Sequence, residues 1–516
     1  MHHEIYLDAN ATTPVLPAAL AAASDTMQAS FGNPSSSHST GLVARELRED
    51  ARASAARLLG SGEGTVLFVS GATEAIQTAV LSSLCELRER RKRGDTRRQV
   101  LVYGATEHKA VPESLAHWNR LLGLELEIRA LPVNAEGLHD LELLRAWAPE
   151  IGMLCTMAAN NETGVVSDLA GIERALVESA SPALWLVDCV QALGKLALDL
   201  KNTRIDYAAF SGHKLHAPKG IGMLYVREGS PCTPLVMGGG QEGGWRSGTE
   251  NMPGIAALGA VLSAACRGDT FKPHETLHAY RDRLVQALRD AFPGVAFNAP
   301  LERTLPTTLN FSVPGVSSRM LMDLFEAAGV RVSAGSACSA AKAAPSYVLE
   351  AMGLAEWRTT SAVRMSFGPL ADEAFIDAAC AAIRDCGRIL RDSASAIKPS
   401  GERAANDADA AHVRALDWRE LDTLLQRDPQ ALLIDVRERF EVAAAAPVVR
   451  AGKTAVNVPL TEIEQEVPRW MLEHAHPLVF FCRSGNRSLQ ATLAVQREGH
   501  VSCIQLSGGL ALQAVR

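Results

Sequence analysis

Short apolar runs alternate with amphipathic segments through the first half of the chain, and this alternation restricts the folds that it can adopt. The run at 65–69, for example, leads directly into a helical pattern that begins near Thr73. Such alternation is typical of an α/β domain whose mainly parallel sheet is covered by helices on both faces. The runs predicted as strands are 65–69, 99–103, 151–157, 184–187, 207–210 and 222–226.

The second half of the sequence predicts two further folded regions. From about Thr270 the pattern becomes α+β, and after residue 412 a smaller α/β pattern begins. Between them, residues 393–411 combine small and charged side chains without an apolar period, so we expect a flexible linker at about 393–412. The strands expected in the two regions are 308–313, 330–333, 362–367, 431–436, 477–481 and 501–506.

The composition argues against several classes of protein. The formal net charge is −7, so no overall basic field attracts nucleic acid, and we interpret the cationic run 88–98 as a solvated helix end rather than an RNA-binding patch. Residues 1–4 lack the pattern of a signal peptide, and no apolar stretch approaches the ~18 residues of a membrane span. The 10 cysteines are scattered, without zinc-ribbon spacing. We therefore expect a cytoplasmic protein with no membrane segment, no direct nucleic-acid partner and no firm metal site.

Two side chains at the ends of successive predicted strands point to a specific chemistry. Lys214 closes the segment 211–214, and Asp188 follows the strand at 184–187. A lysine in tight, small-residue surroundings is partly desolvated, which lowers the pKa of its amine and makes it a nucleophile toward an aldehyde. A buried carboxylate is the partner that a pyridinium nitrogen needs. Together the two residues indicate a site for pyridoxal phosphate (PLP), although a lysine alone is usually a solvated charge.

Further polar residues follow other predicted strands, at the edge where open α/β sheets bind ligands. The segment 70–74 joins a strand to a helix and offers free N–H groups to a phosphate. His108 can stack on an aromatic cofactor or move protons, and Asn161 and Gln191 supply hydrogen-bonding groups. Arg364, on an otherwise apolar strand, is suited to grip a substrate carboxylate through two hydrogen bonds.

A cysteine in an unusual setting adds a candidate nucleophile. Cys338 lies in the stretch 333–345, which contains no large apolar side chain to anchor it. Most free cysteines are buried and inert, whereas a thiol in a small, polar loop is more readily reactive. We therefore predict that 333–345 is a mobile loop that carries a reactive thiol.

In these residues and in several further motifs the chain resembles the NifS/IscS-type cysteine desulfurases, a group of fold-type I PLP enzymes. The matching stretches lie within residues 4–392, and the resemblance implies that residues 1–392 form a cysteine desulfurase domain. Its large domain, at about 17–265, would contain a mainly parallel seven-stranded sheet, and an α+β small domain would combine 1–16 with 266–392. The matching stretches are 6–14, 31–35, 70–74, 106–109, 160–164, 188–191, 211–214, 246–251 and 335–338.

The resemblance also implies a role for each matching residue. Lys214 would hold PLP covalently and move protons, Asp188 would pair with the pyridine nitrogen, and His108 would stack on the ring. Asn161, near the cofactor, and Arg364 would hold the carboxylate of the substrate. The remaining implied cofactor contacts are Gln191 at the ring hydroxyl, Ala72, Thr73, Ser211 and His213 at the phosphate with Gly212 in the same segment, and Thr249 reaching in from a second subunit of a homodimer.

The implied reaction converts L-cysteine to L-alanine and leaves a persulfide on Cys338. The loop around Cys338 resembles the long form found in the subgroup that donates sulfur to several acceptors, such as iron–sulfur scaffold proteins or tRNA-thiolation proteins. Cys338 is then also a candidate transient ligand of an iron–sulfur cluster. An aminotransferase and a selenocysteine lyase on the same fold are the alternative activities.

A second cysteine motif lies in the C-terminal region, after the predicted strand 477–481 and at the start of a helix. Backbone N–H groups and a nearby arginine in such a turn stabilise a thiolate or persulfide. With 433–438 and 457–460 upstream, the region 413–516 resembles a rhodanese (sulfurtransferase) domain. The arginine five residues after the cysteine fits a sulfur-sized loop better than the longer loop of related phosphatases. The loop residues are Cys482, Arg483, Ser484, Gly485, Asn486 and Arg487.

The two cysteine sites suggest a relay. Cys338 would take sulfur from cysteine, and Cys482 would receive it and pass it to acceptors. A flexible linker gives an effective concentration near the mM range, which favours such transfer within one chain or across a dimer. The alternative is that the C-terminal domain is an inactive docking module for a sulfur-accepting partner.

Overall fold

The computed structural model describes residues 4–95, 97, 99–335, 345–393, 413–473, 475–500 and 502–515. Within these ranges the chain divides into two compact units. The larger contains Ile5–Met322 and Arg331–Cys380, and the smaller contains Asp323–Val330 and the described part of Ala381–Arg516. No helix among the described residues is both long and apolar enough to cross a membrane.

The described part of residues 4–393 contains twelve strands, and most follow the predicted apolar runs to within one or two residues. They are β1 (Ile5–Tyr6), β2 (Thr65–Val69), β3 (Val100–Gly104), β4 (Glu127–Leu131), β5 (Ile151–Met157), β6 (Leu184–Asp188), β7 (Tyr207–Ser211), β8 (Gly222–Val226), β9 (Ala296–Phe297), β10 (Thr308–Ser312), β11 (Val330–Arg331) and β12 (Ala362–Ser366).

The helices of the same part of the chain come between the strands, as the alternation predicts. They are α1 (Pro17–Gln28), α2 (Ser39–Leu59), α3 (Ala72–Lys92), α4 (Ala110–Leu121), α5 (Leu141–Trp147), α6 (Leu169–Glu178), α7 (Met252–Arg267), α8 (His274–Ala291), α9 (Ser318–Ala327), α10 (Tyr347–Ala351), α11 (Glu356–Ser361) and α12 (Glu373–Ser393).

The large sheet has seven strands in the order β2-β8-β7-β6-β5-β3-β4. Strand β8 runs antiparallel to both of its neighbours, and the other pairs of adjacent strands in the sheet are parallel. The prediction of a mainly parallel seven-stranded sheet is confirmed. Because parallel strands all end at one edge, residues that follow β2, β3, β5, β6 and β7 come together there.

Side chains of the central strands pack alternately against the two faces of the sheet. On β6, Trp185 and Val187 belong to one buried apolar cluster, and Leu184 and Leu186 belong to the other. Successive side chains of a strand point to opposite faces, so this division shows that helices cover both sides. The sheet is therefore a rigid base for the residues at its edge.

The small antiparallel sheet of this unit has the order β12-β10-β9. Strand β10 pairs with β12 along five residues, and Asn310 lies opposite Arg364 in this register. Arg364 is 2% exposed, although its neighbours on β12 are mostly apolar. The small sheet therefore holds a buried guanidinium group, and the role of Arg364 in binding a carboxylate stays a prediction.

The C-terminal unit has a sheet of five parallel strands in the order β13-β19-β18-β14-β17, and β15 pairs with β16 in a separate hairpin. The α/β pattern predicted for this region is confirmed. Its strands are β13 (Ala415–Leu416), β14 (Leu432–Asp435), β15 (Val449–Arg450), β16 (Lys453–Thr454), β17 (Val456–Asn457), β18 (Leu478–Phe481) and β19 (Cys503–Leu506), and its helices are α13 (Trp418–Arg427), α14 (Arg439–Ala443), α15 (Ile463–Glu473) and α16 (Asn486–Arg497).

Candidate active site

A cavity of about 520 Å³ opens at the carboxyl edge of the large sheet. Most of the residues proposed to contact the cofactor line it, although they lie far apart in the sequence. Gly212 and Thr249 do not line it in this chain: Gly212 is buried, and Thr249 is exposed. The predicted residues in the lining are Ala72, Thr73, His108, Asn161, Asp188, Gln191, Ser211, His213, Lys214 and Arg364.

Lys214 lies on a single 3₁₀ turn, Gly212–Lys214, that follows β7 directly. Its Nζ donates hydrogen bonds to the carbonyl oxygens of Asn10 at 2.5 Å and Ala11 at 2.7 Å. The N-terminal segment thus holds the amine at the cavity wall. The sequence analysis did not predict this contact, because more than 200 residues separate the partners.

Asp188 ends β6 and is almost completely buried beside the cavity. One oxygen, Oδ1, accepts a hydrogen bond from the N–H of Val190 at 2.9 Å. Burial raises the pKa of the carboxyl, and that N–H together with the charges of His108 and Lys214 opposes the rise. A buried carboxylate that lines a cavity is suited to bind a cationic ring nitrogen, which would balance its negative charge. Asp188 therefore fits the pyridine nitrogen of PLP.

His108 and Glu107 follow β3 at the same edge of the sheet. Nδ1 of His108 accepts a hydrogen bond from the N–H of Ala110 at 3.2 Å, so the proton of this ring lies on Nε2. Glu107, which the sequence analysis did not select, is fully buried. Burial and then the charge of Asp188 raise its pKa well above the ordinary value, which favours the neutral form of this acid.

The part of the cavity that the start of helix α3 lines is suited to a phosphate. Helix α3 starts at Ala72, so its first N–H groups face this part and offer an anion partial positive charge. Gly222, on strand β8, lies close to the turn that precedes helix α3, since a Cβ atom at position 222 would lie 2.7 Å from Cα of Gly71. Burial and the charge of Lys214 lower the pKa of His213 to about 4, so this ring is neutral. These features fit the phosphate group of PLP.

Arg364 and Asn161 form the part of the site proposed for the carboxylate of the substrate. Nη1 of Arg364 donates to the carbonyl oxygen of Asn161 at 3.0 Å, and Nη2 donates to Oδ1 of Asp8 at 2.5 Å. Asp8 was not predicted. Because it pairs with only one side of the guanidinium, Asp8 orients Arg364 and compensates part of its charge.

Cys338 lies outside the described residues, but both flanks of the segment 336–344 are described. Ser346 donates a hydrogen bond through Oγ to Oε2 of Glu162 at 2.6 Å. On the other flank, a Cβ atom on Gly335 (φ +61°) would lie 2.9 Å from the same oxygen. Glu162 follows Asn161 in the sequence, so both flanks of the segment start beside the Arg364 end of the cavity.

The C-terminal cysteine motif begins immediately after β18. Cys482 is 1% exposed, and its Sγ accepts a hydrogen bond from the N–H of Gly485 at 3.2 Å. Gly485 has φ +100°, and a Cβ atom there would lie 3.3 Å from Nε2 of Gln505. The motif therefore presents a backbone donor to the sulfur, as predicted, but the thiol is buried. Arg483, Ser484 and Gly485 form the turn, and Asn486 and Arg487 open α16.

Arg487 is fixed by a buried acid that the sequence analysis did not identify. Its guanidinium donates to both oxygens of Glu441, at 2.5 and 2.8 Å. Burial alone would lower the pKa of Arg487, but the bonds to Glu441 outweigh it and raise the pKa. The cation is therefore permanently charged and held in one orientation near Cys482.

We predict that Glu441→Ala destabilises the C-terminal sheet by about 3 kcal/mol or more, because it removes the carboxylate that accepts both short hydrogen bonds of the buried guanidinium of Arg487. Hydrogen exchange followed by mass spectrometry should show faster exchange in peptides from 432–506. The double variant Glu441→Ala/Arg487→Met should recover much of the protection. Equal exchange in Glu441→Ala and the parent protein would contradict this account of the pair.

Comparison with known proteins identifies the two parts of the chain. Residues 5–378 match the family model described as Aminotransferase class-V, and residues 417–512 match the Rhodanese-like domain. A cysteine desulfurase of Cereibacter sphaeroides is 36% identical over 376 residues, which are 72% of this chain and 93% of that protein. The putative cysteine desulfurase IscS 1 of Bacillus subtilis (strain 168) is 38% identical over 368 residues, 70% of this chain and 93% of that relative.

Solved structures agree with this assignment. A structure described as a NifS-like protein superposes with a TM-score of 0.65 and 30% identity, and it covers 75% of this chain and 99% of that chain. A second, described as SspA in complex with cysteine, has a TM-score of 0.60 and 27% identity over 71% of this chain and 99% of that one. The chain is therefore a PLP-dependent enzyme of the class-V aminotransferase family, within its NifS/IscS-type cysteine desulfurases, and carries a C-terminal rhodanese-like domain.

Proposed function

We propose that the N-terminal domain converts L-cysteine to L-alanine and places the sulfur on Cys338 as a persulfide. The observation that carries this proposal is the assembly of Lys214, Asp188 and His108 around one cavity, which the N-terminus of helix α3 also lines. Relatives named cysteine desulfurase, and the neighbour described as bound to cysteine, support the choice of substrate.

The residues around the cavity have distinct roles in this proposal. When bound, PLP supplies an electron sink at the α-carbon of the substrate. Lys214 holds the cofactor and moves the α-proton through Nζ, while Asp188 keeps the ring nitrogen charged. His108 stacks on the ring and holds a proton at Nε2. The phosphate is bound by Ala72, Thr73, Ser211 and His213, and by Thr249 of a second subunit, so the active form is a homodimer.

The sulfur transfer needs no other reactant. The thiolate of Cys338 bonds to the sulfur of the substrate as the Cβ–S bond of cysteine breaks. The electron pair of that bond stays with Cβ, which is then protonated. One cysteine and one enzyme thiol thus become one alanine and one enzyme persulfide. Because the thiol is tethered to the enzyme, the attack is effectively intramolecular.

Arg364 binds the carboxylate of L-cysteine in this scheme, and Arg364→Lys tests that role. We expect KM for L-cysteine to rise about tenfold or more, with a smaller fall in kcat, because an ammonium cannot make the planar two-point contact of a guanidinium. Steady-state alanine formation measures both constants. Arg388→Lys, at an exposed ion pair, is the matched control. A lower kcat with unchanged KM would exclude the carboxylate role.

The C-terminal domain receives the sulfur in the second half of the proposal. The thiol of Cys482 attacks the outer sulfur of the Cys338 persulfide, so Cys338 returns to a thiol and Cys482 becomes the persulfide. The N–H of Gly485 already donates a hydrogen bond to this sulfur position. Acceptors downstream would be iron–sulfur scaffold or thiolation proteins in the cytoplasm.

The relay is tested with L-cysteine labelled in its sulfur and three variants of the full chain. Cys338→Ala should abolish alanine formation. Cys482→Ser should still form alanine but transfer label to an added thiol acceptor several-fold more slowly. The control Cys503→Ser, which changes another buried thiol of the same domain, should behave as the parent protein. An unchanged transfer rate in Cys482→Ser would refute the relay and leave the domain as a docking module.

Two alternative activities give different results in the same assays. An aminotransferase would produce a keto acid from the substrate and would not depend on Cys338. A selenocysteine lyase would show a much higher kcat/KM with selenocysteine than with cysteine, although it would use the same fold and the same Lys214. Product analysis and the ratio of the two kcat/KM values therefore separate these activities from the proposed one.

A further inference from the structure

A buried lysine lies directly behind the cavity and has no role in the scheme above. Lys195 is 5% exposed and does not line the cavity. Its Nζ donates a hydrogen bond to Oε1 of Gln191 at 2.7 Å. Among the described residues no carboxylate lies within ion-pair distance of this amine. A buried cation without an anion is costly, so a purely structural role would be served better by an apolar side chain.

The contact fixes the orientation of the Gln191 amide. A lysine ammonium has only donors, so the side-chain oxygen of Gln191 must face it and the NH₂ group must face away. Nε2 of Gln191 donates one hydrogen bond to the carbonyl oxygen of Asn10 at 3.2 Å. The same carbonyl accepts the bond from Nζ of Lys214, which places this end of the amide beside the reactive lysine. Gln191 itself lines the cavity.

We propose that Lys195 is a positioning residue that locks the amide of Gln191 with its nitrogen toward the cavity, where it donates a hydrogen bond to the ring oxygen of PLP. This inference rests on the proposed role of the cavity. A donor stabilises the anionic ring oxygen, whereas a flipped amide would present an oxygen and repel it. Lys195 also adds a positive charge behind that amide.

The electrostatic setting of Lys195 is consistent with this role. Burial, followed by the charges of Lys214 and Arg364, lowers the pKa of Lys195 to about 7. Anionic groups of a ligand in the cavity favour the charged amine. Binding of PLP and the locked orientation of Gln191 therefore support each other. Nε2 of His274 contacts the backbone oxygen of Lys195 at 2.7 Å, so the main chain there is anchored independently of the amine.

The test uses the full chain without PLP and the variant Lys195→Met, which keeps the length of the side chain but removes its donors. Titration with PLP, followed by protein fluorescence, should give about tenfold weaker binding or more, since the lost interaction is a charge-assisted hydrogen bond network. The absorbance of bound PLP changes with pH, and the pH at the midpoint of this change should rise by about one unit. Lys201→Met, at an exposed site, should change neither value.

A double-mutant cycle shows whether Lys195 acts through Gln191. If it does, Lys195→Met/Gln191→Ala should bind PLP no more weakly than Gln191→Ala alone. Additive losses, or a lower melting temperature with an unchanged affinity and pH midpoint, would overturn the inference and leave Lys195 as a structural residue. If the parent chain itself fails to bind PLP, the proposed function fails instead, so the two failures are distinguishable.

Discussion

Replacement of Lys214 by alanine is expected to lower kcat for alanine formation by about 10³-fold or more, since it removes both the covalent attachment of PLP and the group that moves the α-proton. In the structure, Nζ of Lys214 is held by two main-chain carbonyl groups at the cavity wall. No other lysine among the described residues has that position. The measurement is single-turnover formation of alanine from L-cysteine at saturating PLP.

The control for this variant separates loss of chemistry from loss of structure. Lys214→Ala should keep the far-ultraviolet circular dichroism spectrum of the parent chain, because Lys214 lines a cavity and lies on a short turn outside the α-helices and strands. Lys201→Ala, at an exposed position, should retain full activity. Turnover in Lys214→Ala within a few-fold of the parent rate would show that another group performs the proton transfer.

The second large effect is expected for Asp188→Asn. We predict that kcat falls by about 10²-fold or more, because a neutral amide of the same size cannot hold the positive charge of the ring nitrogen in a buried site. KM should change much less, since Asp188 is not expected to touch the substrate. Steady-state kinetics with L-cysteine measure both values.

Asp206→Asn is a suitable comparison, because Asp206 is also buried and lies next to the same sheet. Its carboxylate bonds to Arg227, Ser230 and the N–H of Trp185, away from the cavity. This variant should lose stability more than kcat. If Asp188→Asn retains the parent kcat, the carboxylate is not the partner of the ring nitrogen and the assignment of the site is wrong.

The sequence predicted the strands of the large sheet well wherever they are buried on both faces. Strands such as β5 and β6 are continuous apolar runs, and their burial in the structure explains why. Strand β4 was not predicted. It pairs with β3 at the edge of the sheet, and in its segment Glu-Ile-Arg-Ala-Leu only the last residue is buried, so it lacks the apolar run on which the prediction depends.

The sequence predicted that residues which directly follow a strand, such as Lys214, Asp188 and His108, come together at the edge of the sheet. It did not predict contacts in which the partner comes from a distant segment. Asp8 reaches Arg364 across 356 positions, and the carbonyl of Asn10 reaches Lys214 across 204. No local pattern records such contacts, because they depend on tertiary packing.

For Lys195 the sequence contained a weak sign of an unusual role. It stands four residues after Gln191 and is flanked by leucine, glycine and alanine, a setting in which a charged side chain is costly to bury. Glu441 had no comparable signal, since its segment reads as an ordinary amphipathic helix. Its bond to Arg487 becomes evident only when α14 and α16 are seen together.

The most direct test of the account is to reduce the PLP-loaded full chain with borohydride and map the modified peptide by mass spectrometry. The account predicts one pyridoxyl adduct, on Lys214, and its loss when L-cysteine is added in excess before reduction. An adduct on a different lysine, or no adduct after reconstitution with PLP, would contradict the central assignment.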